Sequence, residues 1–138
     1  MLHKTHGVVF RFTKYGDTSI IVNIFTELFG LQSFIVNGVR SASSKTNKIA
    51  LYQPLTLLDL VVYHRENANI NRIKEVKCVY PYHTIPLDVR KSTIAMFIGE
   101  VVNKSVKEQP HAGAIFDFLF NSLVALDVVE EALGTVSR

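Results

Sequence analysis

Thr5-His6-Gly7-Val8-Val9-Phe10-Arg11-Phe12-Thr13 alternates apolar and polar side chains, with Val8, Phe10 and Phe12 on one face and Gly7, Arg11 and Thr13 on the other. Only Val9 breaks the alternation. A period of two over this length, carried by β-branched and aromatic residues, specifies a half-buried strand. Lys14-Tyr15-Gly16-Asp17 follows with turn chemistry: Gly16 tolerates positive φ and Asp17 can hydrogen-bond the nearby backbone. Thr18 to Thr26 alternates again through Ile20, Val22 and Ile24. After Leu28-Phe29-Gly30, a third strand is expected over Leu31 to Val39.

The pattern persists downstream. Ser41 to Asn47 lacks a large apolar residue and reads as a loop carrying Lys45 between Arg40 and Lys48. Leu55 to His64 is apolar almost throughout, as a strand buried on both faces would be. Asp59 is the exception; it either pairs with a basic residue on a neighbouring strand or faces solvent. In the fifth strand, Ile70 to Tyr80, Ile73 is odd-numbered while Val76, Cys78 and Tyr80 are even. A one-residue slip of this kind is what a β-bulge produces, and small closed barrels bend their strands with bulges. Five consecutive strands without an intervening crossover helix predict a small barrel.

Beyond Pro81 the period changes to helical. Pro86 suits the first turn of a helix and Asp88 the positive end of its dipole. Val89, Ile94, Phe97, Ile98, Val101 and Val102 recur at helical spacing to about Val106. A second helix is expected from about Ala112 to Leu133, with Asp127 as its weak point. Ile115, Phe116, Leu119, Phe120, Leu123 and Leu126 form its stripe, which Phe118 and Val124 widen. So broad an apolar surface expects neighbours on more than one side, so the sequence ends as a fragment would, with an uncovered face available for self-association. The fold class is therefore mainly β with α: a five-stranded barrel over residues 1–81 and a truncated helical region over residues 82–138.

Composition bounds the function. The 138 residues are 48% hydrophobic and 20% charged, a globular balance. The longest charge-free stretch, Leu28 to Val39, is too short to span a bilayer, and the N-terminus carries no secretory pattern. A cytoplasmic protein is expected, with no membrane partner. The single cysteine, Cys78, excludes an internal disulfide and a multi-cysteine zinc site within these residues. Residues 1–81 hold ten Lys/Arg against five Asp/Glu, whereas residues 82–138 hold five against seven. The basic half is the one expected to meet an anionic partner.

Catalytic patterns are missing from the sequence. No Gly-rich phosphate loop or nucleophile elbow occurs, and His3 and His6 should point to opposite faces of a strand. Cys78 shares the phase of Val76 and Tyr80 and reads as a small packed hydrophobe. We expect no enzyme, catalytic residue, metal or cofactor. Binding is better supported, because five-stranded barrels of this kind commonly hold oligonucleotides on strands 2 and 3 and on the loops joining strands 1–2 and 4–5. Those loops carry Lys14 and Tyr15, then Arg65; Arg11 precedes the first of them on strand 1, the fifth strand opens with Arg72 and Lys74, and Arg40, Lys45 and Lys48 lie around the Ser-rich loop. A lone lysine or arginine is ordinarily a solvated surface group; the clustering at strand ends is what points to phosphates. Trp is absent, Tyr15 and Tyr63 are candidate stacking platforms, and Phe34 fits either face. The alternatives are a protein-interaction module docking through the barrel or the Phe116–Leu126 helix face, and a small-ligand barrel, which the apolar strand interiors disfavour.

Several segments together resemble the N-terminal part of the bacterial RecO family: Thr5-His6-Gly7-Val8-Val9-Phe10-Arg11, Tyr15-Gly16-Asp17-Thr18-Ser19, Ile24-Phe25-Thr26, Phe29-Gly30 and Val36-Asn37-Gly38-Val39-Arg40. Leu51-Tyr52-Gln53-Pro54 with its apolar continuation resembles it too, as does Phe116-Asp117-Phe118-Leu119, in the style of Bacteroidetes members. The resemblance implies an OB-fold followed by a helical domain that binds single- and double-stranded DNA and anneals complementary strands. It also implies work with RecR, sometimes RecF, on strands coated by single-stranded-DNA-binding protein, so that RecA can load; nucleoid association follows from this. By position, Arg40, Lys45 and Lys48 fall in the family's basic loop, diluted here by Ser41, Ala42, Ser43 and Ser44. The family's cysteine-based zinc site has no counterpart in these residues.

Overall fold

A computed structural model describes residues 1–39, 48–107 and 113–129. Five strands, β1 (Leu2–Tyr15), β2 (Ser19–Thr26), β3 (Gly30–Val36), β4 (Leu57–Tyr63) and β5 (Asn71–Cys78), close into a barrel in the order β1-β2-β3-β5-β4. Every seam is antiparallel except β3 with β5, which is short and parallel. This is the OB-fold barrel, and helices α1 (Val89–Val106) and α2 (Gly113–Val128) follow it. Among the described residues no helix is long and apolar enough to cross a membrane.

The barrel is filled by the inward residues of each strand: Val9, Ile20, Val22, Ile24, Phe34, Leu58, Leu60 and Val62 are all buried. β1 reaches this interior in two phases. Its pairing to β2 shifts register between Val9 and Arg11, so Phe10 is the extra residue of a bulge. Gly7, Val9 and Phe12 therefore face inward, whereas Val8 and Phe10 pack outside against the helices. The single face expected for Val8, Phe10 and Phe12 is thus split, and Val9, the apparent misfit, marks the change of side. Gly7 sits where two interior side chains converge: a Cβ there would lie 2.5 Å from Ile24 Cγ2 and 3.0 Å from Leu60 Cδ1. The expected bulge in β5 is present, with Val61 opposite Glu75 and Val62 opposite Ile73, leaving Lys74 outside the ladder. β4 is buried on both sides, Leu57 towards the helices and Leu58 inside the barrel, and Asp59 faces Lys77 of β5 at 3.9 Å. Gly16 holds φ 64° at the β1–β2 turn, as the turn chemistry requires. His3 and His6 do diverge: His3 meets Phe29 and His64 edge-on, while His6 stacks on Phe120 of α2.

A 3-10 turn, Lys48–Tyr52, lays the buried Tyr52 ring against the barrel interior, and burial pushes its phenol up to about 12, so it stays neutral. The next segment, Gln53-Pro54-Leu55, brings Leu55 to φ 72°, a conformation that costs a non-glycine residue energy. Burial of its side chain offsets that cost. Leu55 joins the second core, and its Cδ2 comes so near Gly99 of α1 that a Cβ on residue 99 would lie 2.9 Å away. That core joins Val8, Phe25 and Leu57 of the barrel's outer surface to Ala95, Val102 and Val106 of α1 and Phe116, Leu119 and Leu123 of α2. Phe25 meets Phe116 edge-on at 5.6 Å between centroids.

The linker from barrel to helices is held by Asp127. This carboxylate, 2% exposed, accepts hydrogen bonds from the backbone N–H of His83 (3.0 Å), Thr84 (2.8 Å) and Ile85 (2.9 Å) and from the Tyr80 hydroxyl (2.6 Å). Burial pushes its pKa up, but the bonds from Tyr80, His83, Ile85 and Thr84 outweigh that and hold it well below the usual carboxylate range. Lys91 completes the clasp, donating to Thr84 Oγ1 (2.8 Å) and to the Val129 carbonyl (2.7 Å) at the end of α2.

Three expectations for the helices change. Pro86 opens a short 3-10 turn, Ile85–Leu87, rather than α1; Asp88 caps α1 by accepting from the Arg90 and Lys91 N–H groups. On α1 the buried line is Ala95, Gly99, Val102 and Val106, because small residues let the helix approach the barrel. Ile94, Phe97 and Val101 face out instead, Phe97 with 68% exposure. On α2 the Phe116, Leu119 and Leu123 face, expected to be uncovered, packs on the barrel, and Phe118 and Val128 are its large exposed apolar residues. The stretch expected to continue α2 to Leu133 lies outside the described residues beyond position 129.

Candidate nucleic-acid interface

Strand alternation decides which side chains leave the barrel surface. Ile20, Val22 and Ile24 point in, so Ser19, Ile21 and Asn23 point out; Phe34 points in, so Ser33 and Ile35 point out. The bulge in β1 puts Arg11, Thr13 and Tyr15 on the same outer side, opposite Asn23, Ile21 and Ser19 respectively. β3 then pairs Ile35 with Arg72 of β5, and β5 pairs Arg72 with Tyr63 of β4. The outer surface thus carries a continuous row, Thr13–Ile21–Ile35–Arg72–Tyr63, with neutral residues in the middle. Tyr63 is 42% and Tyr15 53% exposed, both accessible to a stacking base.

Cations flank this row. Lys48, Arg72 and Lys74 line one groove of about 910 Å³ with Tyr63, Ile35 and Val76. Lys74 owes its place to the β5 bulge, which releases it from the ladder. Arg65 lies in the β4–β5 turn and shares a smaller depression with Tyr63 and Arg72. Asn71, buried at the start of β5, holds that turn: its Oδ1 accepts from the Arg65 N–H at 3.2 Å and its Nδ2 reaches Gln32 Oε1 at 3.4 Å. On the other flank, Lys14 and Tyr15 are exposed beside the β1–β2 turn. Arg11 stands apart from both groups, in a cleft between the barrel and α1. The structure therefore joins Lys48, Arg65, Arg72 and Lys74 at the β5–β4 end of the row, places Lys14 and Tyr15 beside its β1 end, sets Arg11 apart in the cleft with α1, and leaves Arg40 and Lys45 outside the described residues.

Among the described residues the ion pairs are His6–Glu27, Lys77–Asp59 and Arg90–Asp88. None involves Arg11, Lys14, Lys48, Arg65, Arg72 or Lys74, so among the described residues these six cations are in no ion pair. That arrangement suits phosphates, which demand charge and little angular precision. Phe34 and Phe25 are fully buried, Phe25 beneath the helices, and neither can stack on a ligand. No three His, Cys, Asp or Glu side chains among the described residues gather to hold a metal ion.

Sequence reasoning missed the α1 side of the Arg11 cleft, where Glu100, Asn103 and Lys107 stand, because only the barrel–helix packing brings them to β1 and β2. It also passed over Asp127 as a helix weak point. One signal was available: a lone carboxylate in an otherwise apolar helical stripe needs partners.

Comparison with known proteins adds a family. Residues 1–82 match the family model described as "Recombination protein O N terminal". The chain is 41% identical over 134 residues to a DNA repair protein RecO of Phocaeicola vulgatus, covering 97% of this chain and 55% of that protein. It is 40% identical over 124 residues to the DNA repair protein RecO of Flavobacterium psychrophilum, covering 90% and 52% respectively. A more distant relative of the same name from Salinibacter ruber is 28% identical over 133 residues, covering 96% of this chain and 50% of the relative. The chain spans about half the length of the curated relatives it matches.

Proposed function

The chain belongs to the RecO family of recombination proteins, and we propose that its barrel is a DNA-holding surface that acts, without catalysis of its own, in recombinational repair. The observation that carries this reading is the set of six cations, in no ion pair among the described residues, that lie on or beside an outer row of the barrel whose other members, Thr13, Ile21, Ile35 and Tyr63, are uncharged. Single-stranded DNA would cross that row with its phosphates against Arg72, Lys74, Lys48 and Arg65 at one end and Lys14 at the other, with Arg11 reached from the adjoining cleft. Tyr63 and Tyr15 offer stacking surfaces; Arg40 and Lys45 extend the basic edge in sequence. Neutralising phosphates on two strands lowers their mutual repulsion, so that base pairing can do the recognition and annealing follows. In this reading duplex DNA is held by the same charges. RecR, single-stranded-DNA-binding protein and in some bacteria RecF are the partners the family suggests, in the service of RecA loading. The site of action is the cytoplasmic nucleoid.

A second reading, protein docking through the helical layer, is favoured by the exposed Ile94, Phe97 and Val101 on α1, which replace the α2 face as the uncovered apolar surface. Fluorescence anisotropy with labelled single-stranded DNA across a salt series separates the two. The DNA reading expects a log–log slope near 0.7 per neutralised phosphate, and several phosphates for a surface of this extent. Absence of binding at low salt would reject it in favour of docking.

A further inference from the structure

The cleft of about 370 Å³ between the barrel and α1 has the size of a small-ligand site and an unusual set of walls. Phe10, displaced outward by the β1 bulge, forms part of an apolar wall. Asn23 and Asn103 reach it from opposite sides, and Arg11, Lys107 and Glu100 complete it. Ser33 Oγ donates to Asn23 Oδ1 at 3.1 Å, which leaves the Asn23 amide N–H groups to donate elsewhere. An apolar and aromatic wall, amides and a carboxylate for a polar edge, and two cations for an attached phosphate are together what a nucleotide requires.

The cleft also adjoins the outer row. Arg11 and Asn23 are paired outward residues directly beside Thr13 and Ile21 of that row, two strand positions away and so about 7 Å along the barrel. A strand lying on the row would need to turn out only one nucleotide to enter the cleft. Glu100 can accept a hydrogen bond from an exocyclic amine, which adenine and cytosine carry and thymine lacks.

We propose that this cleft holds one unstacked nucleotide of the single strand bound on the barrel, its base between Phe10 and the Asn23/Asn103 pair and its phosphate near Arg11 and Lys107. The proposal rests on the single-strand reading given above. It is tested with a twelve-nucleotide single strand carrying one 2-aminopurine, whose fluorescence rises on unstacking, with affinity followed by anisotropy. The unsubstituted chain should bind the strand and brighten the probe. Asn103→Leu, which removes an amide from a half-buried helix position, should weaken binding about tenfold, the scale on which one held base matters. It should also abolish the brightening while lowering the salt slope by no more than about 0.7, the one phosphate held in the cleft, and Asn103→Gln should recover most of both the affinity and the brightening. Binding without brightening in the unsubstituted chain, or an Asn103→Leu variant equal to it in affinity and brightness, would overturn the cleft while leaving the strand on the barrel. No binding at all would overturn both. Circular dichroism melting of each variant confirms that it is folded.

Discussion

Replacing Asp127 should loosen the junction between barrel and helices more than any surface change. In Asp127→Ala, three backbone N–H groups, those of His83, Thr84 and Ile85, and the Tyr80 hydroxyl are deprived of their acceptor together. An unsatisfied donor costs about 1–3 kcal/mol, and the lower end applies here because His83 is exposed and Tyr80 half-buried, so water can reach part of the site. Four donors at about 1 kcal/mol each give about 4 kcal/mol, a large share of the 5–15 kcal/mol that is typical for a whole domain. Asp127→Asn keeps one acceptor but turns an amide towards the donors, and about 2 kcal/mol is expected. Tyr80→Phe, which leaves the three backbone bonds in place, should cost about 1 kcal/mol. The pH dependence has a definite sign. Asp127 has a lower pKa folded than unfolded, so its contribution is fully present above about pH 4, the ordinary carboxylate value, and fades as pH falls below that. Urea unfolding followed by circular dichroism between pH 2 and pH 7 reads both effects. Asp127→Asn should be less stable at pH 7 and lose less of its stability on acidification. A variant within about 0.5 kcal/mol of the parent at pH 7, the spread of an ordinary surface substitution, with an unchanged acid limb would refute the clasp.

On the DNA side, Arg72→Ala with Lys74→Ala should weaken single-strand binding evenly across sequences and reduce the log–log salt slope by about 0.7 for each phosphate no longer neutralised; anisotropy in a salt series measures it. Tyr63→Ala should instead weaken binding by about 1–3 kcal/mol with little change of slope, because stacking releases no counterions. Gly7→Val should destabilise the barrel by about 1–3 kcal/mol or more, since even a Cβ would press into Ile24 and Leu60; the shift in urea midpoint reports this. Lys91→Met should cost about 1 kcal/mol in the same urea titration, through removal of its bonds to Thr84 and to the carbonyl at the end of α2.

The strands, their approximate bounds and the change to helix after Pro81 were legible in the residues alone, because periodicity of two and of 3.6 is written in neighbouring residues. So were the β5 bulge, as the slip between Ile73 and Val76, and the basic character of the first half. The β1 bulge was present in the same form, as Val9 out of phase, but whether Val9 or its neighbours faced the barrel depended on what covered the other side. Packing between distant elements settled that: α1 and α2 bury Val8 and Phe10, so a strand that reads as having one apolar face has two. The same packing chose among apolar residues on α1, where Gly99 and Ala95 allow close approach to Leu55 and the larger Ile94 and Phe97 are left outside. Likewise, the rows joining Arg72 to Ile35 and Arg11 to Asn23 exist only once the barrel closes. Local pattern fixes which way a side chain can point relative to its own strand. Contacts between residues distant in sequence, such as Asp127 with the Tyr80–Ile85 linker, come from long-range packing and leave only faint marks on the residues beside them.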